Sequence, residues 1–423
     1  MRRRMGGPIM LRGAAPAVLA ILLGPLSSST RAASAPEPLA LVDANVIDVH
    51  TGRVTPHATL VLRDGKIASV GTQPAPSGIR TLDMKGKYVL PGLIDCHTHL
   101  ATLAAARLAL ESGVTTVRSS GVSNYADVGL RELVRKGAVA GPDVVATGYH
   151  VRPRLAEEAF LSDPSLSNLM GGVEGTEAIR QVVRTNLAHG VDFIKVLATE
   201  RAGTADTDPR KQTYTEAELR TLVDEAAAKG VPVQAHAHGD EGAQAAVKAG
   251  VRSIEHGTYL SDETLALMKQ RGTFYVPTYA TVIDLTEPGG DYDLPALRNR
   301  GRHMLPRLRS TIRRAHRLGI RIATGADTSY GPNSLTRISQ EVAAFVEMGF
   351  TPLEALQAAT TVAAELLRVE RTTGALEAGL DADLIAVEGN PLEDPVALQD
   401  VLLVVSNGRV ALDRLSFAKP ASP

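Results

Sequence analysis

Two histidines separated by one residue, His97 and His99, end the apolar run VLPGLIDCHTHL. In an extended strand, residues two positions apart project to the same face, so both imidazoles can bind one metal ion. In a chain with eleven histidines, the pair can equally be two ordinary polar residues on a solvated face. The pair alone leaves both interpretations open, because a metal site needs further imidazole or carboxylate donors.

Further side chains capable of metal binding or proton transfer end other short, β-branched apolar runs. They are Lys195 in DFIKVLA, His236 and His238 in VPVQAHAHG, His256 in SIEHG, and Asp327 in RIATGAD. Each has a structural alternative: the lysine could snorkel from a strand end, the histidines could be hydrogen-bonded core residues, and the aspartate could cap a turn. Their shared position at the ends of separate strands favours one common site.

The elements that must position these side chains alternate between strand and helix. Between residues 91 and 369, short apolar runs alternate with amphipathic segments such as YTEAELRTLVDEAAAKG, which ends at Gly230. Eight strand candidates predict an α/β fold, a (β/α)8 TIM barrel rather than an open doubly wound sheet. The sequence contains no glycine-rich dinucleotide fingerprint or phosphate loop. In such a barrel the active site lies at the carboxyl ends of the strands.

Both ends of this barrel region are flanked by β-rich sequence. The turn signals Asp64-Gly65 and Lys85-Gly86 predict tight hairpins in a small antiparallel sheet, and Asn407-Gly408 predicts another near the C-terminus. Two similar ends suggest one discontinuous β-sandwich domain with its parts close in space. The predicted organisation is a β-sandwich built from residues 36–90 and 370–423 around a barrel over residues 91–369.

The N-terminus predicts a signal peptide over residues 1–35. Arginines at positions 2 to 4 precede an apolar stretch and then the small residues Ala33-Ser34-Ala35. We therefore expect export to the periplasm or the medium, with a twin-arginine route as a minor option. The apolar run is short for a bilayer, so we expect no membrane anchor in the mature form.

Composition and charge limit the classes of partner. Apolar residues make up 44% of the chain and charged residues 22%, which is typical of a globular protein. A net charge of -1 gives no long-range field for nucleic acid, so a small-molecule ligand is expected. The single cysteine, Cys96, cannot form an intrachain disulfide, and its alternation with the two histidines predicts a packing role.

The sequence resembles the amidohydrolase superfamily, in the branch of imidazolonepropionase-like proteins and metal-dependent dipeptidases. The resemblance covers nearly the whole mature chain, in motifs that agree in order and spacing: VLPGLIDCHTHL, GVTTVR, FIKV, AHAHG, SIEHG, TGAD and TTVAAELLRVERTTGALEAGLDADLIAVEGNP. It implies a binuclear metal-dependent hydrolase that cleaves a C–N bond with a metal-bridging hydroxide.

The resemblance also implies a role for each residue at a strand end. His97, His99 and Asp327 correspond to ligands of one metal, and the positions that correspond to ligands of the other are His236 and His256. Lys195 corresponds to a bridging lysine carbamylated by carbon dioxide. His238 corresponds to a residue that contacts the substrate or a developing oxyanion, and Asp327 also moves a proton. The donor types suit two divalent ions, first of all Zn²⁺.

The substrate class follows from the resemblance and the predicted export. Histidine breakdown is an internal role, so a dipeptidase or an amidase of N-acyl amino acids is favoured, and similar enzymes also cleave ochratoxin A. Hydrolysis of a cyclic amide or a deamination is the alternative within the superfamily. A non-catalytic exported binding protein is the alternative from another class. Relatives of this kind are expected to form homo-oligomers.

Substrate-binding residues are predicted from cations and hydroxyls near strand ends. A substrate α-carboxylate would need such groups, and the candidates are Tyr149, His150, Arg152, Arg154 and Tyr214. The segment ATLAAARLALES after His99 is shorter than in similar enzymes, which suggests a wider opening with Thr102 facing the site.

Overall fold

The computed structural model describes residues 35–417, so all but the last residue of the predicted signal peptide lies outside the described part. The strands in that part are β1 (Leu39–Ile47), β2 (Val54–Arg63), β3 (Lys66–Gly71), β4 (Arg80–Asp83), β5 (Tyr88–Pro91), β6 (Leu93–Thr98), β7 (Val114–Ser119), β8 (Asp143–Val145), β9 (Ile194–Leu197), β10 (Val233–Ala237), β11 (Ser253–His256), β12 (Phe274–Val276), β13 (Leu384–Val387), β14 (Val401–Ser406) and β15 (Arg409–Asp413).

The α-helices lie mostly between the strands of the middle region. They are α1 (Leu103–Glu111), α2 (Ala126–Arg135), α3 (Glu157–Ser162), α4 (Gly175–Ala188), α5 (Glu216–Ala227), α6 (Asp240–Ala249), α7 (Asp262–Arg271), α8 (Tyr279–Asp284), α9 (Pro295–Arg317), α10 (Ile338–Glu347), α11 (Pro352–Ala358) and α12 (Thr361–Leu367). None of the helices among residues 35–417 is both long and apolar enough to cross a membrane.

Strands from both chain ends share one eight-stranded sheet, as the sequence predicts. Its order is β15-β14-β13-β5-β1-β2-β3, with β4 beside β1. Asp64 and Gly65 join β2 to β3 with φ of 51° and 78°, and Asn407 and Gly408 join β14 to β15 with φ of 51° and 73°. Both pairs form the two-residue hairpins that their positive φ values favour.

The predicted hairpin at Lys85-Gly86 is wrong, and the sheet is mixed rather than antiparallel. Both residues have positive φ, but β4 and β5 each pair in parallel with β1, one after the other along its length. The chain continues along the same edge because the Asn45 side-chain amide donates to the Gly86 carbonyl at 2.6 Å. This bond holds the turn against β1 instead of letting it fold back.

The middle region alternates strand and helix, as predicted for an α/β fold. Its strands form two parallel sheets, β6-β7-β8 and β9-β10-β11-β12, and every residue of β6, β7 and β9 to β12 is buried. Parallel strands packed on both faces are expected to be apolar throughout, which explains their uninterrupted runs. Isolated parallel bridges add Val151 beside Val196, Ile322 beside Tyr275 and Thr328 beside Thr98.

The predicted eighth strand, RIATGAD, carries only the bridge at Ile322, the Thr328 bridge lies one residue beyond it, and the segment is not a regular strand. Helix α5 begins and ends where its sequence indicates. Thr215 and Glu218 form a capping box, and Gly230 follows the helix with φ of 71°. A helix of this kind returns the chain to the start of the next parallel strand. The carboxyl ends of neighbouring strands therefore lie at the same edge of a sheet.

Candidate active site

The predicted metal-binding residues converge on one cavity at the carboxyl ends of the parallel strands. The cavity has an empty volume of about 500 Å³. It is lined by every residue that the sequence places at a metal or catalytic position: His97, His99, Lys195, His236, His238, His256 and Asp327. Five strand ends or adjoining segments therefore contribute to one site, although 230 residues separate the first of these side chains from the last.

One group of donors contains His97, His256 and Asp327, whose ligand atoms all lie within 4.8 Å of one another. His99 joins this group through its Nε2, which lies 3.0 Å from Asp327 Oδ1. The Asp327 backbone N–H donates to the His97 carbonyl at 2.7 Å. His256 and Asp327 have φ of 71° and 48°, and this uncommon left-handed conformation is typical of functional positions.

A second group contains His236, His238 and His256, whose ligand atoms also lie within 4.8 Å of one another. His256 belongs to both groups. The His238 ring stacks on the His256 ring with centroids 4.6 Å apart and pairs its Nδ1 with Thr258 Oγ1 at 2.9 Å. The resemblance gives His238 a role at the substrate and not as a ligand. The structure nevertheless places it in the same donor group as the predicted ligands His236 and His256.

Hydrogen bonds on the far side of the imidazoles fix which nitrogen faces the cavity. His97 Nδ1 donates to the Glu255 carboxylate at 2.8 Å, and His99 Nδ1 donates to the Gly121 carbonyl at 2.8 Å. His256 Nδ1 pairs with Thr278 Oγ1 at 2.7 Å. Such partners set the tautomer and orientation of metal-binding histidines, leaving Nε2 for the ion.

A buried ion pair supports the base of the cavity. The Arg118 guanidinium donates to Glu255 at 2.8 Å and to the Cys96 carbonyl at 2.8 Å, with both charged side chains fully buried. Cys96 itself is fully buried, consistent with the packing role predicted for it. Sequence reasoning missed Glu255, because alternation along SIEH points it away from the face of His256. Glu255 does point away from that face, and its carboxylate accepts the hydrogen bond from His97 Nδ1.

Burial sets the protonation of the cavity. It lowers the pKa of four imidazoles well below the usual value, so they are neutral and able to donate a lone pair: His97, His150, His236 and His256. Burial also lowers the pKa of Lys195 to about 7. Lys195 is only 2% exposed and its Nζ lies 3.4 Å from His97 Nε2, so it does not snorkel to solvent.

The predicted substrate-binding residues divide into two sets. His150 lines the cavity, and Tyr149 and Arg152 line an adjoining cavity together with it. Tyr214 is buried and its hydroxyl donates to the Val173 carbonyl at 3.2 Å. Thr102 is exposed and caps α1 by accepting the Ala105 N–H, so it lies outside both cavities.

Two cavity residues carry no signal in the sequence. Arg201 follows β9 in an irregular loop, and Tyr292 lies in the connection between α8 and α9. Arg201 hydrogen-bonds the Tyr292 side chain, and the Asp327 carboxylate, more than burial, raises the tyrosine's pKa. Only tertiary folding brings these loop residues to the strand ends.

The donors fit divalent metal ions. Imidazole nitrogens and a carboxylate, without sulfur, are the set that Zn²⁺ and similar first-row ions prefer. The donors are buried and grouped within 4.8 Å, which is the spacing expected of side chains that share an ion.

Known proteins are similar to this chain in sequence and in fold. Residues 88–411 match the model described as the amidohydrolase family. Aspergillus niger ochratoxinase is 28% identical over 85% of this chain and 84% of its own. Imidazolonepropionase of Symbiobacterium thermophilum is 28% identical over 85% of this chain and 91% of its own. A crystal structure of a Xaa-Pro dipeptidase with bound methionine superposes with a TM-score of 0.78 at 28% identity, covering 88% of this chain and 99% of that one.

The family model spans most of the chain, and the Xaa-Pro dipeptidase shares its fold. The resemblance predicted from the motifs is thereby confirmed. The chain belongs to the amidohydrolase family and is a hydrolase that acts on amide bonds.

Proposed function

We propose that the protein is a binuclear metal-dependent amidase that cleaves a dipeptide, an N-acyl amino acid or a related aryl amide. The observation that carries this proposal is the pair of donor groups, joined at His256, in one cavity. The names of two relatives, ochratoxinase and Xaa-Pro dipeptidase, support this substrate range. We infer that the mature enzyme is exported, has no membrane anchor and forms homo-oligomers.

The frame proposed for this site is a closed eight-stranded barrel. The Val151–Val196 bridge places the segment that follows β8 beside β9, the first strand of the other parallel sheet. The bridges of Ile322 to β12 and Thr328 to β6 are what an eighth strand would make. The mixed sheet of both chain ends corresponds to the small β-sandwich domain in this proposal.

The proposed ligands of the first ion, with Zn²⁺ the favoured metal, are His97, His99 and Asp327. The second ion would be held by His236 and His256, and carbamylated Lys195 would supply oxygen donors to both ions. Carbamylation requires a neutral amine, and a pKa of about 7 leaves much of Lys195 in that form near neutral pH. The amine nitrogen bonds to the carbon of CO₂ and loses a proton, which replaces a repelling cation by an oxygen donor.

The bound ions would lower the pKa of a water molecule and polarise the substrate carbonyl. Asp327, whose Oδ1 lies 3.0 Å from His99 Nε2, takes the proton of the attacking water and passes it to the leaving nitrogen. Burial lowers the pKa of His238 to about 3, so this side chain acts as a neutral donor to the developing oxyanion.

Metal analysis and a substrate panel test the proposal. The purified protein should contain close to two metal ions per chain. It should hydrolyse at least one of Xaa-Pro dipeptides, Xaa-Arg dipeptides, N-acyl amino acids or ochratoxin A, and Asp327→Asn should abolish turnover. Activity confined to a lactam such as a hydantoin, or to a deamination, would contradict the dipeptidase assignment. Full metal content without turnover of any amide would indicate a binding protein.

A further inference from the structure

A second cavity opens beside the proposed metal site and shares part of its wall. It has an empty volume of about 630 Å³. His99, His150 and Arg201 line both cavities, and the second is further lined by Tyr149 and Arg152. A substrate whose amide reaches the metal-binding side chains can therefore extend a second group into this space.

The second cavity is strongly cationic because it contains two arginines without acidic partners. Within residues 35–417, neither the Arg152 nor the Arg201 guanidinium lies within 4 Å of a carboxylate. Burial, and after it the Arg201 charge, lower the pKa of Arg152, and the charge of Glu158 offsets this only in part. Two half-buried cations facing one space favour an anion that neutralises them.

The loop that carries Arg201 is held in place by Arg300 of α9. The Arg300 guanidinium donates to the carbonyls of Ala202 and Thr204 at 2.6 Å each, and to Ala205 at 3.0 Å. A side chain that donates to three carbonyls of one short segment restricts the loop. Arg201 is therefore presented to the cavity in a defined position and not on a mobile segment.

We propose that Arg152 and Arg201 form a carboxylate subsite, so that the enzyme selects amides carrying a free carboxylate close to the scissile bond. This inference rests on the proposed amidase function. It adds Arg201 to the predicted substrate-binding residues, and it assigns Arg152 and Arg201 to the same substrate carboxylate. A guanidinium pair can bind both carboxylate oxygens, which gives orientation as well as affinity. The carboxylate could be the α-carboxylate of the leaving amino acid or the side chain of an acidic residue.

Equilibrium binding tests the subsite without requiring turnover. N-methanesulfonyl-L-leucine and N-methanesulfonyl-L-leucinamide differ only in the carboxylate, and their sulfonamide bond resists hydrolysis, so isothermal titration calorimetry measures the equilibrium binding of both to the metal-loaded protein. The wild type should bind the acid ~10- to 100-fold more tightly than the amide, the range of one or two charge-assisted hydrogen bonds. The double variant R152Q/R201Q should bring this ratio close to one.

Arg302→Gln is the matched control, because Arg302 is exposed on α9 and lines neither cavity. It should keep the wild-type ratio. An equal affinity of the wild type for acid and amide would overturn the subsite. So would a double variant that keeps the preference for the acid. A protein that binds the acid selectively but hydrolyses no amide would retain the subsite and contradict only the proposed function.

Kinetics distinguish the two sources of the carboxylate. With Leu-Leu and Leu-Leu-amide, an α-carboxylate subsite predicts a lower KM for the free acid and similar kcat for both. With Leu-Glu-amide and Leu-Gln-amide, a side-chain subsite predicts that only the former is favoured. Whichever of these two preferences the wild type shows should weaken in R152Q/R201Q. Arg300→Gln, which loosens the loop, should raise KM for the favoured substrate alone, whereas equal loss on all four would contradict a positioning role.

Discussion

His97 illustrates how a proposed metal ligand is oriented by residues outside the donor groups. Its Nδ1 is bound by Glu255, and Glu255 is neutralised by Arg118, all three buried. Removing one partner of such a buried pair leaves an uncompensated charge, which costs ~3–5 kcal/mol. The strand-end histidines could be predicted from sequence because their spacing is local. Their supporting ion pair could not, because 137 residues separate Arg118 from Glu255.

Lys195 is the residue on which the binuclear proposal depends. The variant Lys195→Ala should lose metal to well below two ions per chain and lose more than ~100-fold in kcat, since even outer partners of metal ligands are worth ~10- to 100-fold. Metal content by plasma mass spectrometry and steady-state kinetics measure this. Short carboxylates such as propionate should restore part of both, because they supply the missing oxygen donor.

A Lys195→Ala protein that kept both its metal and its activity would contradict the bridging carbamate. Lys269→Ala is a matched control, because Lys269 is exposed on α7 and its ammonium donates to the Gly319 carbonyl, far from the cavity-lining residues. It should keep full metal content and activity and should not respond to propionate.

At the scale of elements, the turn after β7 positions two histidines through one glycine. Gly121 has φ of 106°, and a Cβ there would lie 2.1 Å from His150 Nε2. Its carbonyl accepts from His99 Nδ1 at 2.8 Å. Gly121→Ala should therefore shift both rings and reduce kcat/KM ~10- to 100-fold, as expected for displacements near 1 Å.

Gly129→Ala on α2 separates this effect from a general response to glycine replacement. A Cβ at Gly129 meets no atom within 4 Å, and alanine in a helix interior stabilises by ~0.5–1 kcal/mol relative to glycine. Activity should match the wild type and the melting temperature should not fall. A Gly121→Ala enzyme with unaltered kinetics would show that His150 and His99 need no such clearance.

Helices α8 and α10 are joined by a carboxyl group whose protonation makes stability depend on pH. Glu341 accepts the backbone N–H groups of Tyr279 and Ala280 at 3.1 and 2.9 Å, and burial raises its pKa to about 8. The folded state thus holds a proton that the unfolded state releases above its ordinary pKa of 4.5. This contribution to stability is complete below 4.5 and is lost as the pH rises through 8.

Glu341→Gln keeps one of the two acceptor oxygens and removes the titration. Relative to this variant, the wild type should lose unfolding free energy steadily between pH 5 and pH 8.5, measured by urea denaturation at each pH. Glu347→Gln, exposed on the same helix, should parallel the wild type. Parallel curves for Glu341→Gln and the wild type would mean that Glu341 is ionised in the folded protein at all these pH values.

At the scale of the whole molecule, sequence periodicity predicted the order of strands and helices better than the sheet pairings. Buried runs and the turns at Asp64-Gly65 and Asn407-Gly408 are local signals, and both turns are confirmed. The parallel pairing of β4 and β5 with β1 depends on the Asn45–Gly86 bond between distant segments. Arg201 and Tyr292 escaped prediction for the same reason, since irregular loops carry no periodic pattern.

The proposed metal ions should stabilise the whole fold, because their donors would come from segments far apart in the chain. His256 belongs to both donor groups, and Asp327 lies 228 residues from His99. Ions that bind only the folded state stabilise it by about 2.7 kcal/mol at a free concentration 100 times their Kd. Scanning calorimetry of chelator-treated protein should give a lower melting temperature, restored by Zn²⁺. His256→Asn should abolish this response, whereas His57→Asn, at an exposed position, should leave it intact. An unchanged melting temperature on addition of Zn²⁺ to the metal-free wild type would contradict a metal centre that links these segments.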